Sequence, residues 1–242
     1  MNWLARALVA AAAAIALCGL ARWLAARPLF DIRRIEVRGD LTHVRSASVR
    51  AAVAGKIAGN FFTVRLDEAR RAFETIPWVA AASVRRAWPD RLVVTLREHR
   101  ALGLWSDGQL LSDRGRLFVA NAAEAEIHGP LVQFDGPPQF AAEAARRYYE
   151  FAAALAPLAL ALGGIEISER GSWRAVTDTG QRFELGRDDP PGRLSAALAR
   201  LVAVYPFVAA QLGGPPRRID MRYPNGLAAA PGKNANTAAR KS

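Results

Sequence analysis

The rhythm of apolar positions changes repeatedly along the chain, and each change predicts an element. Residues 7–21 form an unbroken run of fifteen apolar or small residues between Arg6 and Arg22. After Pro28 the run gives way to alternation. In IRRIEVRG, Ile35 and Val37 point one way and Arg34, Glu36 and Arg38 the other, the period of a half-buried strand, and Gly39-Asp40 ends it. SASVRAAVAGKIAG then reads as a helix with Ser46 or Ser48 as its cap, closing at Gly59-Asn60. A second helix, RLDEARRAFETI, places Leu66, Ala69, Phe73 and Ile76 on one face, with Asp67 and Glu68 in the first turn where the helix dipole favours carboxylates; Pro77 stops it. Two strands follow around a Trp88-Pro89-Asp90 turn. Val84, Arg86 and Trp88 share one face of the first, while Leu92, Val94 and Leu96 face inward on the second, opposite Val93, Thr95 and Arg97. Strand-helix-helix-strand-strand predicts a compact α+β module, a three-stranded sheet covered on one face by two helices.

From Ala101 the segments shorten. ALGLW, QLLSD, RLFVA and LVQFDG read as strands separated by turns at Asp107-Gly108 and Arg114-Gly115, and Pro137-Pro138 ends the last. Residues 139–156 form an Ala-rich amphipathic helix around Tyr148, Phe151 and Leu155. GGIEISERGSWRAVTDTGQRFELGR predicts a three-stranded meander, with Phe183 and Leu185 alternating against Arg182 and Glu184. Pro191-Gly192 opens a helix through RLSAALARLVAVYPFV. RRIDMRYPNGLAAA supplies a final strand pair, with Ile219, Met221 and Tyr223 on one face and a turn at Asn225-Gly226. Residues 232–242 are small and polar and read as a disordered tail.

The first apolar run changes the picture of where this protein sits. A hydrocarbon core about 30 Å thick needs about 20 residues of helix. With Arg6 and Arg22 snorkelling and Trp3 and Trp23 at the interfaces, the segment from Trp3 to Ala26 spans it. A cleaved signal peptide is the first alternative, but Arg22 and Trp23 occupy the place of its small-x-small site. A lipoprotein signal needs a small residue before its cysteine, and Leu17 precedes Cys18. A buried soluble helix is the remaining alternative. Charge orients the span weakly. More arginines follow it than precede it, yet a five-residue head stays in the cytoplasm more readily than the long remainder.

The 242 residues carry a formal charge of +11, and lysine occurs only at Lys56, Lys233 and Lys241. Arginine excess fits either a nucleic-acid surface or a genome that favours arginine codons. The arginines are spread over every segment with no single basic helix or tail, so composition by itself defines no nucleic-acid binder. Cys18 is the one cysteine, which excludes an internal disulfide and a thiolate zinc site. His43, His99 and His128 fall in three different elements. No H-E-x-x-H, G-x-S-x-G or phosphate-binding glycine loop occurs. Asp188-Asp189 precedes a helix start, where a capping role explains it better than an acid pair. Neither an enzyme nor a cofactor is expected.

The ordered set of segments resembles the FtsQ/DivIB family of bacterial cell-division proteins. IPWVAAASVRRAWPDRLVVTLREHRALGLW is similar to the end of that family's POTRA module and its junction with the next domain. SWRAVTDTGQRFELGR, RLVAVYPFV and IDMRYPNGLA match three successive stretches of the second domain. The resemblance implies an α+β fold with a single N-terminal transmembrane helix (residues 6–26, after a cytoplasmic head of residues 1–5). A POTRA domain (β-α-α-β-β, residues 30–99) follows, then a β-rich domain (residues 100–231) with a mainly antiparallel sheet and two helices. It further implies a divisome scaffold in the inner membrane, its bulk periplasmic and at the septum. Such a scaffold binds FtsB and FtsL, with FtsK and the septal synthesis enzymes FtsW and FtsI as further candidates, and takes neither nucleic acid nor a small-molecule substrate.

By the same resemblance the FtsB-like partner docks on the last strands of the second domain, at Arg222, Tyr223, Asn225 and Gly226, with Arg170 near another contact. Arg222 suits an acidic side chain, Tyr223 an amphipathic contact, and Gly226 the approach of a foreign backbone. The alternatives are a solvated strand face for Arg222 and a core position for Tyr223. Some relatives carry an aromatic where this chain has Ala230-Pro231, which shifts weight onto Tyr223. In the POTRA module Val84 and Arg86 match positions linked with recruitment, with core packing the alternative for Val84. Two other functions compete with the division reading: a POTRA adaptor in outer-membrane protein assembly or secretion, and an exported cell-wall enzyme. The first usually ends in a membrane barrel, and no long series of alternating strands follows here.

Overall fold

A computed structural model describes residues 2–25, 30–57, 59–127, 129–223 and 226–232. The chain divides between His99 and Arg100 into two units. The first begins with helix α1 (Asn2–Ala25). Its apolar side chains, among them Leu8, Val9, Ile15, Leu17 and Leu20, are exposed around the whole circumference, as are Trp3 and Trp23. A helix whose described side chains are largely apolar and exposed on every side suits a single membrane span. At about 1.5 Å per residue its length is about 36 Å, enough to cross. The helix starts at Asn2, so it takes in residues 2–5 of the expected cytoplasmic head.

The rest of the first unit comprises β1 (Arg34–Arg38), α2 (Ser46–Val53), α3 (Leu66–Glu74), β2 (Val79–Ala87) and β3 (Arg91–Glu98). The sheet order is β1-β3-β2, with β1 parallel and β2 antiparallel to β3. Phe73, Ile76, Val79, Ala82, Val94 and Leu96 form the core, and Val49, Ala52 and Val53 of α2 pack against it. Several expectations needed correction. α2 ends at Val53, six residues before Gly59, because Gly55 adopts φ +69° and turns the chain there. Neither serine caps it; Arg45 holds the N-cap position without a side-chain bond, and Ser46 is already helical. Ile35 is exposed on the edge strand although Val37 packs inward. Val93, expected on the solvent face, is buried; its neighbours in register are Glu36 and Arg85, whose long side chains shield a small apolar one.

A carboxylate clamp closes this module. Glu98, at the end of β3, accepts backbone N–H bonds from Thr42 (3.1 Å), His43 (3.0 Å) and Val44 (2.7 Å) and lies 3.2 Å from His43 Nδ1. The His43 ring stacks on Trp78 at 3.9 Å, and Trp78 is buried with a left-handed φ of 73°. A bulky residue in that conformation is costly, so the stacked ring and the His99 N–H donated to Trp78 O (2.7 Å) help to hold it.

The second unit contains β4 (Ala101–Trp105), β5 (Leu110–Ser112), β6 (Leu117–Phe118), α4 (Ala122–Glu126), β7 (Val132–Asp135), α5 (Ala141–Leu155), β8 (Leu162–Ile167), β9 (Trp173–Thr177), β10 (Arg182–Gly186), α6 (Arg193–Gln211), β11 (Pro216–Asp220) and β12 (Ala228–Pro231). They build one nine-stranded sheet in the order β12-β11-β10-β9-β8-β7-β4-β5-β6. Five pairings are antiparallel, and the parallel ones are β4·β7, β7·β8 and β10·β11. α5 carries the chain from β7 to β8 and α6 from β10 to β11, as parallel neighbours require. The short α4 was not foreseen; Asn121 caps it through Ala123 N–H.

Register separates the two faces of this sheet. Phe134, Ile165, Ala175, Phe183 and Ile219 are partners across five strands, all buried under α5 and α6. α6 is itself long and apolar enough to cross a membrane, but Leu194, Leu198, Leu201, Tyr205 and Val208 are buried on the sheet, which makes it a core helix. The adjacent row, Asp135, Glu166, Arg174, Glu184 and Asp220, lies on the opposite face. Glu184 there is 6% exposed, so β10 does not simply alternate. Arg174 (2.7 Å) and Arg218 (3.4 Å) flank it, and this pairing makes its burial tolerable. Close approach decides Gly103, where a Cβ would fall 2.1 Å from Val132 O and 2.5 Å from the Phe134 ring.

Candidate protein-docking site

The charged face of the second unit ends in a hollow of about 370 Å³. It is lined by Ser168, Arg170, Ser172, Arg187, Arg193 and Arg222. Arg170 and Arg222, 52 residues apart in the chain, are thereby brought together. Arg170 sits in the tight connection between β8 and β9. There Ser172 N donates to Ser168 Oγ (3.0 Å), and Gly171, at φ +71°, donates to Ser168 O (2.8 Å). Arg222 follows β11 directly, and Asp220 fixes it: Arg222 Nε and Nη2 donate at 2.9 and 2.6 Å, and its backbone N–H at 3.1 Å. The guanidinium holds the Asp220 carboxyl below its ordinary range, and the carboxylate in turn raises the Arg222 pKa further. Both groups are charged at any physiological pH. Half of the Arg222 side chain stays exposed (49%), so the held cation faces outward.

The backbone at Gly186 makes room for it. This residue ends β10 at a bulge with φ +89°, and a Cβ there would lie 3.4 Å from Arg222 Cγ. On the other side α6 pins the strand connection. Arg193 Nη2 donates to Arg222 O (3.1 Å), and Arg200 Nη2 donates to Met221 O (3.1 Å) and Tyr223 O (3.2 Å). Tyr223 is 57% exposed, unlike Ile219 and Met221, so it presents its ring to solvent rather than to the core. Gly226 is exposed with open space beside it, and Asn225 lies outside the described residues. Arg187, Arg193 and Arg200 were missed as site residues. Arg193 and Arg200 stand seven apart, two helical turns, and that shared face was the available signal.

At this end of the sheet β12 is the edge strand. It pairs antiparallel with β11 from Asp220↔Ala228 to Pro216↔Pro231, and all four of its residues are exposed. Among the described residues its other side has no neighbouring strand, which is the kind of edge on which an extended segment can add.

The POTRA-side candidates are arranged differently. Val84 is partly buried in the module's core opposite Val94, and Arg86 lies on the same helix-covered face, donating to Val64 O (2.8 Å). Arg86 lines a hollow of about 480 Å³ with Asp67, Glu68 and Arg71 at the start of α3. Chemistry finds few footholds. Among the described residues no three His, Cys, Asp or Glu side chains cluster to hold a metal ion. His43 is engaged with Glu98 and Trp78, and His128 lies outside the described residues. Asp188 accepts the Leu194 N–H (3.0 Å) at the start of α6 and pairs with Arg147 of α5. Burial works against its charge, but these partners prevail and hold its carboxyl below the ordinary range.

The chain thus joins a small α+β module to an open nine-stranded sheet that ends in an exposed edge strand, with an arginine-lined hollow at that end. Residues 30–99 match the FtsQ-type POTRA domain, and residues 103–222 match the C-terminal domain of cell division protein FtsQ/DivIB. Cell division protein FtsQ of Burkholderia pseudomallei is 45% identical over 206 residues, covering 85% of this chain and 82% of that protein. Its counterpart in Bordetella pertussis is 39% identical over 238 residues, covering 92% and 87%. That of Xanthomonas campestris is 36% identical over 212 residues, covering 86% and 70%. The chain belongs to the FtsQ/DivIB family of cell-division proteins.

Proposed function

We propose that this chain is a non-enzymatic divisome scaffold that captures FtsB and FtsL by strand addition to β12. The carrying observation is the union of a free sheet edge with the cationic hollow around Arg170 and Arg222. An incoming strand pairs its backbone with β12, which supplies affinity, while an acidic side chain of the partner meets Arg222 and an apolar one covers Tyr223. Asp220 keeps Arg222 in place before the partner arrives, so little ordering is lost on binding. α1 anchors the chain in the inner membrane with the remainder in the periplasm at the septum, where FtsK, FtsW and FtsI are the further partners. Recruitment through the POTRA side falls to Val84, which is only partly buried against the core, and to Arg86 and its neighbours.

The test is site-specific photocrosslinking in dividing cells. A photoreactive residue at Ala230 on β12 is expected to capture FtsB, while one at Leu117 on β6 is not. Arg222→Glu together with Tyr223→Ala should abolish the Ala230 crosslink and the midcell ring without lowering protein level. A crosslink that persists in that double variant would sink the proposed mode.

A further inference from the structure

The first unit carries an apolar surface that its core does not use. Phe30, Phe61, Phe62 and Trp88 form one ring cluster, with centroids 5.1 Å apart for Phe30–Phe62, 5.4 Å for Phe30–Trp88 and 5.4 Å for Phe61–Trp88. None belongs to the module's core, and Phe62 and Trp88 are 48% and 61% exposed. The cluster is built rather than incidental. Phe61 N donates to Phe30 O (2.7 Å), Asn60 Oδ1 accepts from Phe62 N (3.0 Å) and Thr63 N (3.1 Å), and Arg33 N donates to Asp90 O (2.9 Å). These bonds gather the start of β1, the 60–63 turn and the β2–β3 turn at one end of the sheet. Arg34 and Arg91 are partners in register at that end, and with Arg33 they outnumber the carboxylates Asp31 and Asp90.

We infer that this end of the POTRA module rests in the headgroup region of the membrane that α1 spans, with the aromatic rings at the interface and Arg33, Arg34 and Arg91 against lipid phosphates. The inference rests on α1 crossing the membrane, and chain length then leaves the cluster little freedom. Phe30 follows Ala25, the last residue of α1, by five residues. Even fully extended, five residues reach about 18 Å. α1 is about 36 Å long, so it leaves the hydrocarbon with little to spare and ends among the headgroups. Rings with an apolar body, and arginine with its phosphate-matching fork, are the residue types this layer takes up. A protein partner is the competing occupant, but it would have to fit between the module and a bilayer tethered within that reach.

The test uses the full chain in nanodiscs of phosphatidylethanolamine and phosphatidylglycerol, with a nitroxide at one cysteine at a time. Collision accessibility to oxygen and to a water-soluble nickel chelate reports depth. Native Cys18 is the control for the span. In a Cys18→Ser background, Asp90→Cys labels the cluster beside Trp88, and Ser83→Cys labels exposed β2 about 17 Å up the strand. The oxygen-to-nickel ratio at position 90 is expected to exceed that at position 83 several-fold. It should fall to the position-83 value when Phe62→Ser and Trp88→Ser are added. Equal ratios at 90 and 83, with Cys18 deep in hydrocarbon, overturn the inference alone. A water-exposed Cys18 overturns the reading of α1 instead, and the inference with it. Shielding of position 90 from both reagents, with spin–spin broadening that grows with protein per disc, would assign the patch to a second copy and also overturn it.

Discussion

Replacing Glu98 should unlock the POTRA module locally before it weakens the whole. Its carboxylate, 8% exposed, receives three backbone N–H groups and faces His43 Nδ1. Hydrogen bonds to a charged acceptor contribute about 1.5–3 kcal/mol each when water cannot replace them. Thr42 N–H lies at the exposed side, so its loss is largely made good by solvent; the His43 and Val44 bonds are part-buried. Counting those two at the low end gives about 3 kcal/mol for Glu98→Ala. In a module of about 70 residues each kcal/mol shifts the midpoint by about 4–8 °C, so its melting should fall by about 12–24 °C. Glu98→Gln keeps one acceptor oxygen but turns an NH₂ toward N–H donors, and should recover less than half of that. Hydrogen exchange read by mass spectrometry on the full chain in detergent gives the local signal, protection of amides 42–44. Unchanged protection there, with an unchanged first melting transition in Glu98→Ala, would refute the clamp as a source of stability.

In the second unit, Gly103→Ala forces β4 away from β7 and should cost about 3 kcal/mol or more, seen by calorimetry as a lowered transition of that domain. Tyr205→Phe removes the buried bond to Gln181 Oε1 (2.8 Å) and strands that amide, a loss of about 1–2 kcal/mol in denaturant titration. Asp188 has a folded pKa below its unfolded value near 4, so its contribution is full above that value and is lost as pH falls through the folded one. Asp188→Asn should therefore be less stable than the native chain at pH 7, with the difference shrinking as pH falls below about 4, which melts across that range will check. Gly186→Ala should strain a left-handed position and crowd Arg222, weakening FtsB capture more than it lowers the melting point.

What the sequence revealed and what it hid divide along physical lines. Strand-helix-helix-strand-strand was legible because the apolar period switches cleanly between about two and about 3.6 residues. The meander from β8 to β10 was legible for the same reason. The two serines before α2 misled because capping depends on which residue leaves helical φ/ψ, and Arg45 does so here. Val93 and Glu184 were misplaced because pattern reading assigns one environment per strand face, whereas arginine stems from neighbouring strands cover part of each face. Arg170 and Arg222 were named from a resemblance, but their shared hollow depends on a nine-stranded order with two helical crossovers, which no local pattern encodes. The aromatic cluster was invisible for a similar reason: Phe30, Phe61, Phe62 and Trp88 come from three separate segments, and no single window contains them all.

β12 reads Ala228-Ala229-Ala230-Pro231. Alanine offers a partner strand neither pockets nor charges, so β12 cannot itself dictate which sequence lies alongside it or in what register. Discrimination falls to the fixed groups at one end of the strand, and the remainder of the contact is tolerant. Under the strand addition proposed above, a partner can therefore drift along most of the segment that pairs here without a compensating change in this chain, while one acidic and one apolar position stay under constraint. Pro231, which has no N–H, and the strand's short length also make a poor template for a second copy. An edge this brief can take one added strand of the kind proposed and is too short to seed a stack.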